Sequence, residues 1–393
     1  MTMNRLKVTL FVIMTFSGLA TAVILPILAP LIRELNLSES QGGWMVSLGS
    51  VFMALLGAFW GNLSDRLGRR AILLIGFIGL SLSYIVYTSV IATGFNGHLS
   101  GLWLFICLML GRAMVGAFLP AVTSAAQALM ADTTPPEQRS SGMAIISAAA
   151  GVGLVVGPAI GGILALYGLI WPLVLTIFTC AIGAILVYLF IPQTQVTSER
   201  QKAPPLNLMH HGLWRWLLAG MVNMFSIVAV QISAGFYFQD SLNLTTAETG
   251  PMLAVALTVV GLALITTQII QVRFLKLSSR TMILIGTPLW MLGMLILIVT
   301  TSASTYYLAY GLFGIGSGLA MPGFISGASL TVEATHQGAV AGLTTTAQGV
   351  GAITAPLLST LLYEMMPTLP LWLVIGMNGG VWLLIWLRAE LPD

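Results

Sequence analysis

One arginine lies inside a long apolar segment, where a charged side chain is unusual. Arg112 lies about eleven residues after Gly101, where a long apolar run begins. A helix of that length places the guanidinium near the middle of a bilayer, where a charge costs several kcal/mol. Such a residue is typical of a substrate or proton pathway, and the alternative is a structural arginine that donates to backbone carbonyls. Arg112 is therefore the first candidate for substrate binding or coupling.

A short segment between two apolar runs concentrates charge and glycine. The two glycines predict a tight turn between antiparallel helices. Asp65 can pair with Arg69, or it can approach the N-terminus of another helix. The alternative is a basic loop with no further role. We expect a gating loop made of Gly61, Asp65, Arg66, Gly68, Arg69 and Arg70.

A third segment repeats glycine at helical spacing. Glycines four residues apart share one helix face and let a neighbouring backbone approach closely. A proline in the same segment removes a backbone donor and favours a kink. Generic helix packing is the alternative for any single glycine pair. The motif consists of Gly153, Gly157, Pro158, Gly161 and Gly162.

The composition indicates that these residues sit in a membrane protein. Hydrophobic residues make up 57% of the 393 residues and charged residues only 7%, whereas a soluble domain carries about 25% charged residues. Most of the surface must therefore face lipid. The net charge of +3 comes from scattered basic residues, which favours topology signals over a nucleic-acid partner. Cys107 and Cys180 lie inside apolar runs and are interpreted as packing residues.

Twelve apolar runs are long enough to span a bilayer. With the N-terminus inside, thirteen of the fifteen Lys and Arg residues fall on inner segments, Arg33 falls outside, and Arg112 lies within a span. This bias predicts that both termini are cytoplasmic. The first run is too long for a cleaved signal and is predicted to be retained. The runs cover about 7–32, 42–62, 70–92, 101–127, 139–166, 170–191, 213–238, 249–271, 281–301, 304–331, 338–363 and 368–388.

An internal repeat divides the chain into two halves. Gly151, Gly153 and Pro158 recur as Gly349, Gly351 and Pro356, at a constant separation of 198 residues. The hydrophilic stretch 192–212 follows the sixth run and is the predicted cytoplasmic linker between 1–191 and 213–393. The prediction is an all-α membrane protein of twelve transmembrane helices in two pseudo-symmetric halves. A parallel duplication of this kind places the substrate site between the halves, near the bilayer midplane.

Together these motifs resemble those of the major facilitator superfamily, and within it the twelve-span drug:proton antiporters related to tetracycline and multidrug exporters. The charged loop matches the superfamily's loop motif, and the glycine–proline motif matches the family's antiporter signature. Arg112 and Gly116 match a third motif, in which Val115 replaces the usual glutamine. The resemblance implies the major facilitator fold and a transporter, not an enzyme. It also implies a functional monomer without cofactors in the bacterial inner membrane.

The resemblance further implies alternating access around a cavity lined by spans one, four, seven and ten. Because Arg112 is the one central charge, an anionic or zwitterionic cargo is favoured, either a drug-like amphiphile or a carboxylate metabolite such as a siderophore. The charged loop is expected to close the inner side by docking onto the inner end of span eleven. Each candidate lining residue has helix packing as its alternative. These candidates are Arg112, Asn223, Ser226, Gln231, Tyr237 and Ser317.

Proton antiport is the expected coupling, but one feature departs from the family pattern. No Asp or Glu lies deep in any of the twelve runs, and span one offers only Thr15, Ser17 and Thr21. A facilitator or importer of a small anionic or zwitterionic metabolite is therefore the alternative function. An enzyme or metal site is disfavoured because the four histidines lie in loops or at span ends. The chain also lacks a nucleotide-binding loop of the G-x-x-x-x-G-K type.

Overall fold

The structure is a computed structural model, and it describes residues 3–134, 139–193, 212–332 and 337–387. These residues form thirteen α-helices and no strand. The first seven are α1 (Met3–Ala22), α2 (Leu28–Glu34), α3 (Glu39–Leu67), α4 (Arg69–Phe95), α5 (Gly101–Thr133), α6 (Arg139–Ala165) and α7 (Trp171–Phe190). The others are α8 (Leu213–Ser241), α9 (Thr246–Ile270), α10 (Ser279–Val299), α11 (Ala303–Leu330), α12 (Gln337–Met365) and α13 (Leu369–Trp386).

Eleven helical segments in the described ranges are long and apolar enough to cross a membrane. The twelfth predicted span is α12, which is 29 residues long. Its first half carries Thr344, Thr345, Thr346 and Gln348, and these polar side chains lower its apolar character. Large apolar side chains such as Phe178 are exposed along the helices, as expected for lipid-facing surfaces. The chain is a multi-pass membrane protein.

The first predicted span is broken rather than continuous. Helix α1 ends at Ala22, a short 3₁₀ turn covers Leu25–Ile27, and α2 begins at Leu28. Pro26 lies in the turn and has no backbone N–H to donate, which removes one α-helical hydrogen bond and favours a break here. The predicted span over about 7–32 is present as Arg5–Glu34, but the break within it was not predicted.

The chain folds as two compact units. The first contains Met1–Arg200 with Thr245–Ala254, and the second contains Gln201–Leu244 with Val255–Asp393. Most of the predicted linker 192–212 lies outside the described residues, so the domain boundaries stay a prediction.

The same pattern of helix packing occurs in both units. In the first unit α1 packs on α6, while α4 packs on α5 and α7. In the second unit α8 packs on α12, while α10 packs on α11 and α13. The pairs are equivalent in the two halves. In each half the first span packs on the fifth, and the third span packs on the fourth and the sixth. The predicted duplication is confirmed by this packing.

Equivalent glycines bring the backbones together in the two units. A Cβ atom added at Gly153 of α6 would collide with the Thr15 carbonyl oxygen and the Leu19 nitrogen of α1. A Cβ atom added at Gly351 of α12 would collide with the Met221 carbonyl oxygen and the Phe225 nitrogen of α8. In each unit, the fifth helix therefore lies against the first with no room for a side chain between them.

We expect Gly153→Ala and Gly351→Ala each to lower the stability of the purified protein, by on the order of 1–3 kcal/mol, because a methyl group would force the helix pair apart. Thermal melting in detergent measures the effect. The matched controls are Gly151→Ala and Gly349→Ala, whose added Cβ atoms meet nothing within 4 Å. If the controls destabilise as much as the test variants, close backbone packing is not what these glycines provide.

Candidate functional site

Arg112 lies on α5, where α5 crosses α3. A Cβ atom added at Gly116 would collide with the carbonyl oxygen of Gly49 on α3, so the two helices touch one turn beyond the arginine. The Arg112 side chain is half-buried. Glycine at the crossing lets the helices approach closely.

Two tyrosines of α4 accompany Arg112. The Tyr84 hydroxyl donates to the Ala20 carbonyl oxygen of α1 at 2.6 Å. The Arg112 guanidinium lies near this hydroxyl. Because the hydroxyl donates its single proton to Ala20, only its oxygen lone pairs can interact with that charge. The Tyr87 ring packs against Gly111, the residue before Arg112 on α5, which brings its hydroxyl near the same charge. It is fully buried and has no hydrogen-bond partner among the described residues.

This cluster of Arg112, Tyr84 and Tyr87 is called the arginine–tyrosine cluster below. Among the described residues, no ion pair joins Arg112 to an acid. A guanidinium has five N–H donors, and even a bond to the one nearby Tyr84 oxygen would leave most of them available. The cluster can therefore bind an oxyanion such as a carboxylate. Neither tyrosine was predicted, although their three-residue spacing in an apolar run is visible in the sequence.

Asn223 and Ser226 lie on α8 in the core of the second unit. The Ser226 hydroxyl donates to the Val222 carbonyl oxygen at 2.7 Å, and it accepts from the Asn378 side-chain nitrogen of α13 at 2.8 Å. The Asn223 side-chain nitrogen is buried without a partner in the described part of the chain. Asn378 was not predicted, and it joins one of the predicted residues, Ser226, to the sixth helix of the half.

The remaining candidates of the second unit are separate from that group. The Tyr237 hydroxyl donates to the Leu297 carbonyl oxygen at 2.8 Å. The Ser317 hydroxyl accepts from the Trp290 indole nitrogen at 2.7 Å. Gln231 is half-buried. Tyr237 and Ser317 thus hold neighbouring helices, and a role for all three in lining a cavity stays a prediction.

Arg69 organises the charged segment at one end of the first unit. Its guanidinium donates to Asp132 of α5 at 2.9 Å and to the Ser64 hydroxyl at 3.1 Å, and it pairs with Asp65. Gly68 makes the turn between α3 and α4 with φ of +89°, a conformation that favours glycine. The predicted pair of Asp65 and Arg69 is present, and Asp132 is an additional partner from a third helix.

The predicted loop is shorter than expected. Gly61 lies inside α3, which continues to Leu67, because no helix-breaking residue occurs before Gly68. The prediction that Gly61 forms part of the turn was wrong. Arg66 is exposed, while Arg70 donates to the Tyr188 carbonyl oxygen of α7 at 2.6 Å and lies over the Tyr188 ring.

The glycine–proline motif of α6 lies against the broken first span. A Cβ atom at Gly157 would press on Ala22, and one at Gly161 would collide with the Val23 carbonyl oxygen. Gly162 faces the segment Thr245–Ala254 of the same unit. Helix α6 continues through Pro158, which is buried. The motif is thus a contact face that follows the first span through its break at Pro26.

Metal-binding residues do not cluster in the described part of the chain, where no group of three or more His, Cys, Asp or Glu occurs. Cys107 and Cys180 are both free thiols, the first half-buried and the second buried. His210, His211 and His336 lie outside the described residues.

Comparison with known proteins gives relatives along almost the whole chain. The tetracycline resistance protein, class E, of Escherichia coli is 28% identical, and the match covers 97% of this chain and 92% of that protein. The quinolone resistance protein NorA of Staphylococcus aureus is 25% identical, over 96% of this chain and 94% of that protein.

Solved structures support the same fold. A crystal structure of the nucleoside transporter NupG matches with a TM-score of 0.78 at 10% identity, covering 98% of this chain and 100% of that one. A bacterial homolog of the human lysosomal transporter Spinster matches with a TM-score of 0.72 at 16% identity, covering 98% and 96%. The family model described as the Major Facilitator Superfamily matches residues 10–356. The chain therefore belongs to the Major Facilitator Superfamily, and it is a membrane transporter rather than an enzyme.

Proposed function

We propose that this transporter exports small organic molecules by secondary active transport with alternating access. The observation that carries the proposal is the glycine face of α6 against the broken first span, because this motif resembles the antiporter signature of exporters. The names of the tetracycline and quinolone resistance relatives support the same direction. A facilitator or importer would use the same fold and would differ in direction and coupling.

The arginine–tyrosine cluster supports an anionic or zwitterionic cargo. Arg112 has N–H donors available, and the Tyr87 hydroxyl forms no hydrogen bond with a described residue. A carboxylate would accept bonds from both groups, and such charge-assisted bonds are stronger than neutral ones. A drug-like amphiphile with a carboxylate, or a carboxylate metabolite such as a siderophore, fits this chemistry. A simple cation would be repelled by Arg112.

Proton antiport is the proposed coupling, and Arg112 is not the proton carrier. A guanidinium keeps its proton at any physiological pH. Every described acid lies within three residues of a helix end, as Asp65, Asp132 and Asp240 do. Proton uptake would therefore use one of these acids or the cargo itself. If one of these acids takes up the proton, cargo recognition and proton uptake occur at different places. Arg112 would bind the cargo, and the acid at a helix end would bind the proton.

The Arg69 network is proposed as the inner latch of the transport cycle. Arg69 holds Asp65 and Asp132 together, which fixes the ends of α3, α4 and α5. A rigid, charged helix end of this kind can dock and release as one body. We propose that this latch lies on the cytoplasmic side and that both termini are cytoplasmic. We also propose that the protein works as a monomer in a bacterial inner membrane.

Transport driven by an imposed pH gradient tests the function. In liposomes that contain the purified protein, we expect a gradient to drive uptake of a tetracycline-like zwitterion or a carboxylate, but not of a lipophilic cation. Arg112→Ala should abolish this uptake because the cargo loses its counter-charge. The control Arg273→Ala removes an exposed arginine of the second unit and should transport normally. Uptake that ignores the gradient would favour the facilitator, and uptake unchanged in Arg112→Ala would remove the arginine from the site.

The conservative change Tyr87→Phe tests the arginine–tyrosine cluster without disturbing the fold. Because the hydroxyl is buried without a described partner, its removal should leave thermal stability unchanged or slightly raised. We expect the KM for an anionic cargo to rise about fivefold, which corresponds to one hydrogen bond of about 1 kcal/mol. An unchanged KM would show that Tyr87 does not reach the cargo.

The change Asp65→Asn tests the latch. It weakens a partly exposed ion pair of Arg69, which is worth about 1 kcal/mol at most, so the balance of inward-open and outward-open states should shift up to about fivefold. Accessibility of single cysteines placed near each membrane face measures the balance. The control is Arg273→Gln, since Arg273 is exposed and lies outside the predicted gating loop. An equal shift in the control, or none in Asp65→Asn, would contradict the latch.

A further inference from the structure

An open groove runs between the beginning of α1 and the end of α7 in the first unit. Its volume is about 480 Å³, which is within the range of ligand pockets. Both helices cross the membrane, so the groove is next to lipid. It is lined by Arg5, Val8, Thr9, Val12, Leu186 and Phe190.

The lining residues give the groove one charged end and apolar walls. The residues of α1 recur at intervals of three and four and therefore share one helix face. From Arg5 to Val12 this face extends about 10 Å along the helix axis, towards the middle of the membrane. The Thr9 hydroxyl donates to the Arg5 carbonyl oxygen at 2.9 Å, so its proton is already used. A ligand would therefore meet an apolar groove with a cation at one end.

Arg5 is available for a ligand. Its side chain is exposed, and no described residue forms an ion pair or hydrogen bond with its guanidinium. No acid lines the groove. Arg70 also lies at this end of α7, where it donates to the Tyr188 carbonyl oxygen. It adds a second positive charge to this membrane face. The surroundings of the groove thus favour an anion.

We propose that this groove binds one anionic phospholipid of the leaflet on the N-terminal side, with the phosphate on Arg5 and an acyl chain along Val8, Val12, Leu186 and Phe190. An ion without an apolar tail would leave the walls uncovered, and a zwitterionic lipid would bring the cation of its own headgroup close to Arg5. Basic pockets between transmembrane helices bind anionic headgroups by this combination of charge and apolar surface. The site is separate from the arginine–tyrosine cluster and does not depend on the direction of transport.

Native mass spectrometry of the full-length protein tests the site. Phosphatidylglycerol and phosphatidylcholine with the same acyl chains serve as probes. We expect the wild type to retain one phosphatidylglycerol more tightly than phosphatidylcholine. Arg5→Gln should weaken that binding about fivefold, as expected for the loss of one basic residue near an anionic headgroup. The matched control is Lys7→Gln, because Lys7 is a cation of the same helix end that does not line the groove.

A second variant, Val12→Trp, tests the apolar part of the groove. A tryptophan there fills the groove without changing the charge, and we expect the retained phosphatidylglycerol to be lost while the melting temperature stays within a few degrees of wild type. Equal retention of the two lipids would overturn the proposal. So would equal effects of Arg5→Gln and Lys7→Gln, which indicate diffuse surface charge, or unchanged binding in Val12→Trp, which indicates a headgroup contact outside the groove.

Discussion

A charge inside the apolar part of a membrane must find partners in the protein, in water or in a ligand. Arg112 meets this constraint incompletely, since it forms no ion pair with a described acid and lies near the Tyr84 hydroxyl, whose proton is already donated to Ala20. The nearby Tyr87 hydroxyl is buried and unpartnered among the described residues. Two groups with unused hydrogen-bonding capacity in one place are costly for folding alone. A cargo that carries an oxyanion would supply what both groups lack, and this is the physical basis of the proposed function.

Close backbone packing provides the frame for this cluster. Tyr84 reaches α1 through the Ala20 carbonyl oxygen, and α1 is held against α6 by glycines that leave no room for side chains. The same arrangement joins α8 to α12 in the second unit, where Asn378 and Ser226 connect a further helix. In lipid there is little hydrophobic drive between helices, so small residues and interhelical hydrogen bonds have to hold them together. Both devices are repeated in the two units, as a duplicated chain predicts.

Composition and periodicity were sufficient to predict the membrane class, the spans, the duplication and the pair of Asp65 and Arg69, because each depends on local sequence. Other features depend on how helices are rotated against one another, which a single sequence does not specify. Tyr84, Tyr87 and Asn378 looked like ordinary residues of apolar runs until neighbouring helices were in place. The break at Pro26 was missed because a long hydrophobic run outweighed one proline. Gly61 was assigned to a turn that Gly68 makes alone.

The proposed function depends on recognition of a negative charge on the cargo by Arg112. The most direct measurement is equilibrium binding of carboxylates, including a quinolone, and of their methyl esters to the purified wild-type and Arg112→Ala proteins. The account predicts that wild type binds a carboxylate about tenfold more tightly than its ester, as expected for a hydrogen bond to a charged group. It also predicts that the difference disappears in Arg112→Ala. Equal binding of acid and ester by wild type, or a preference that persists in the variant, would contradict it.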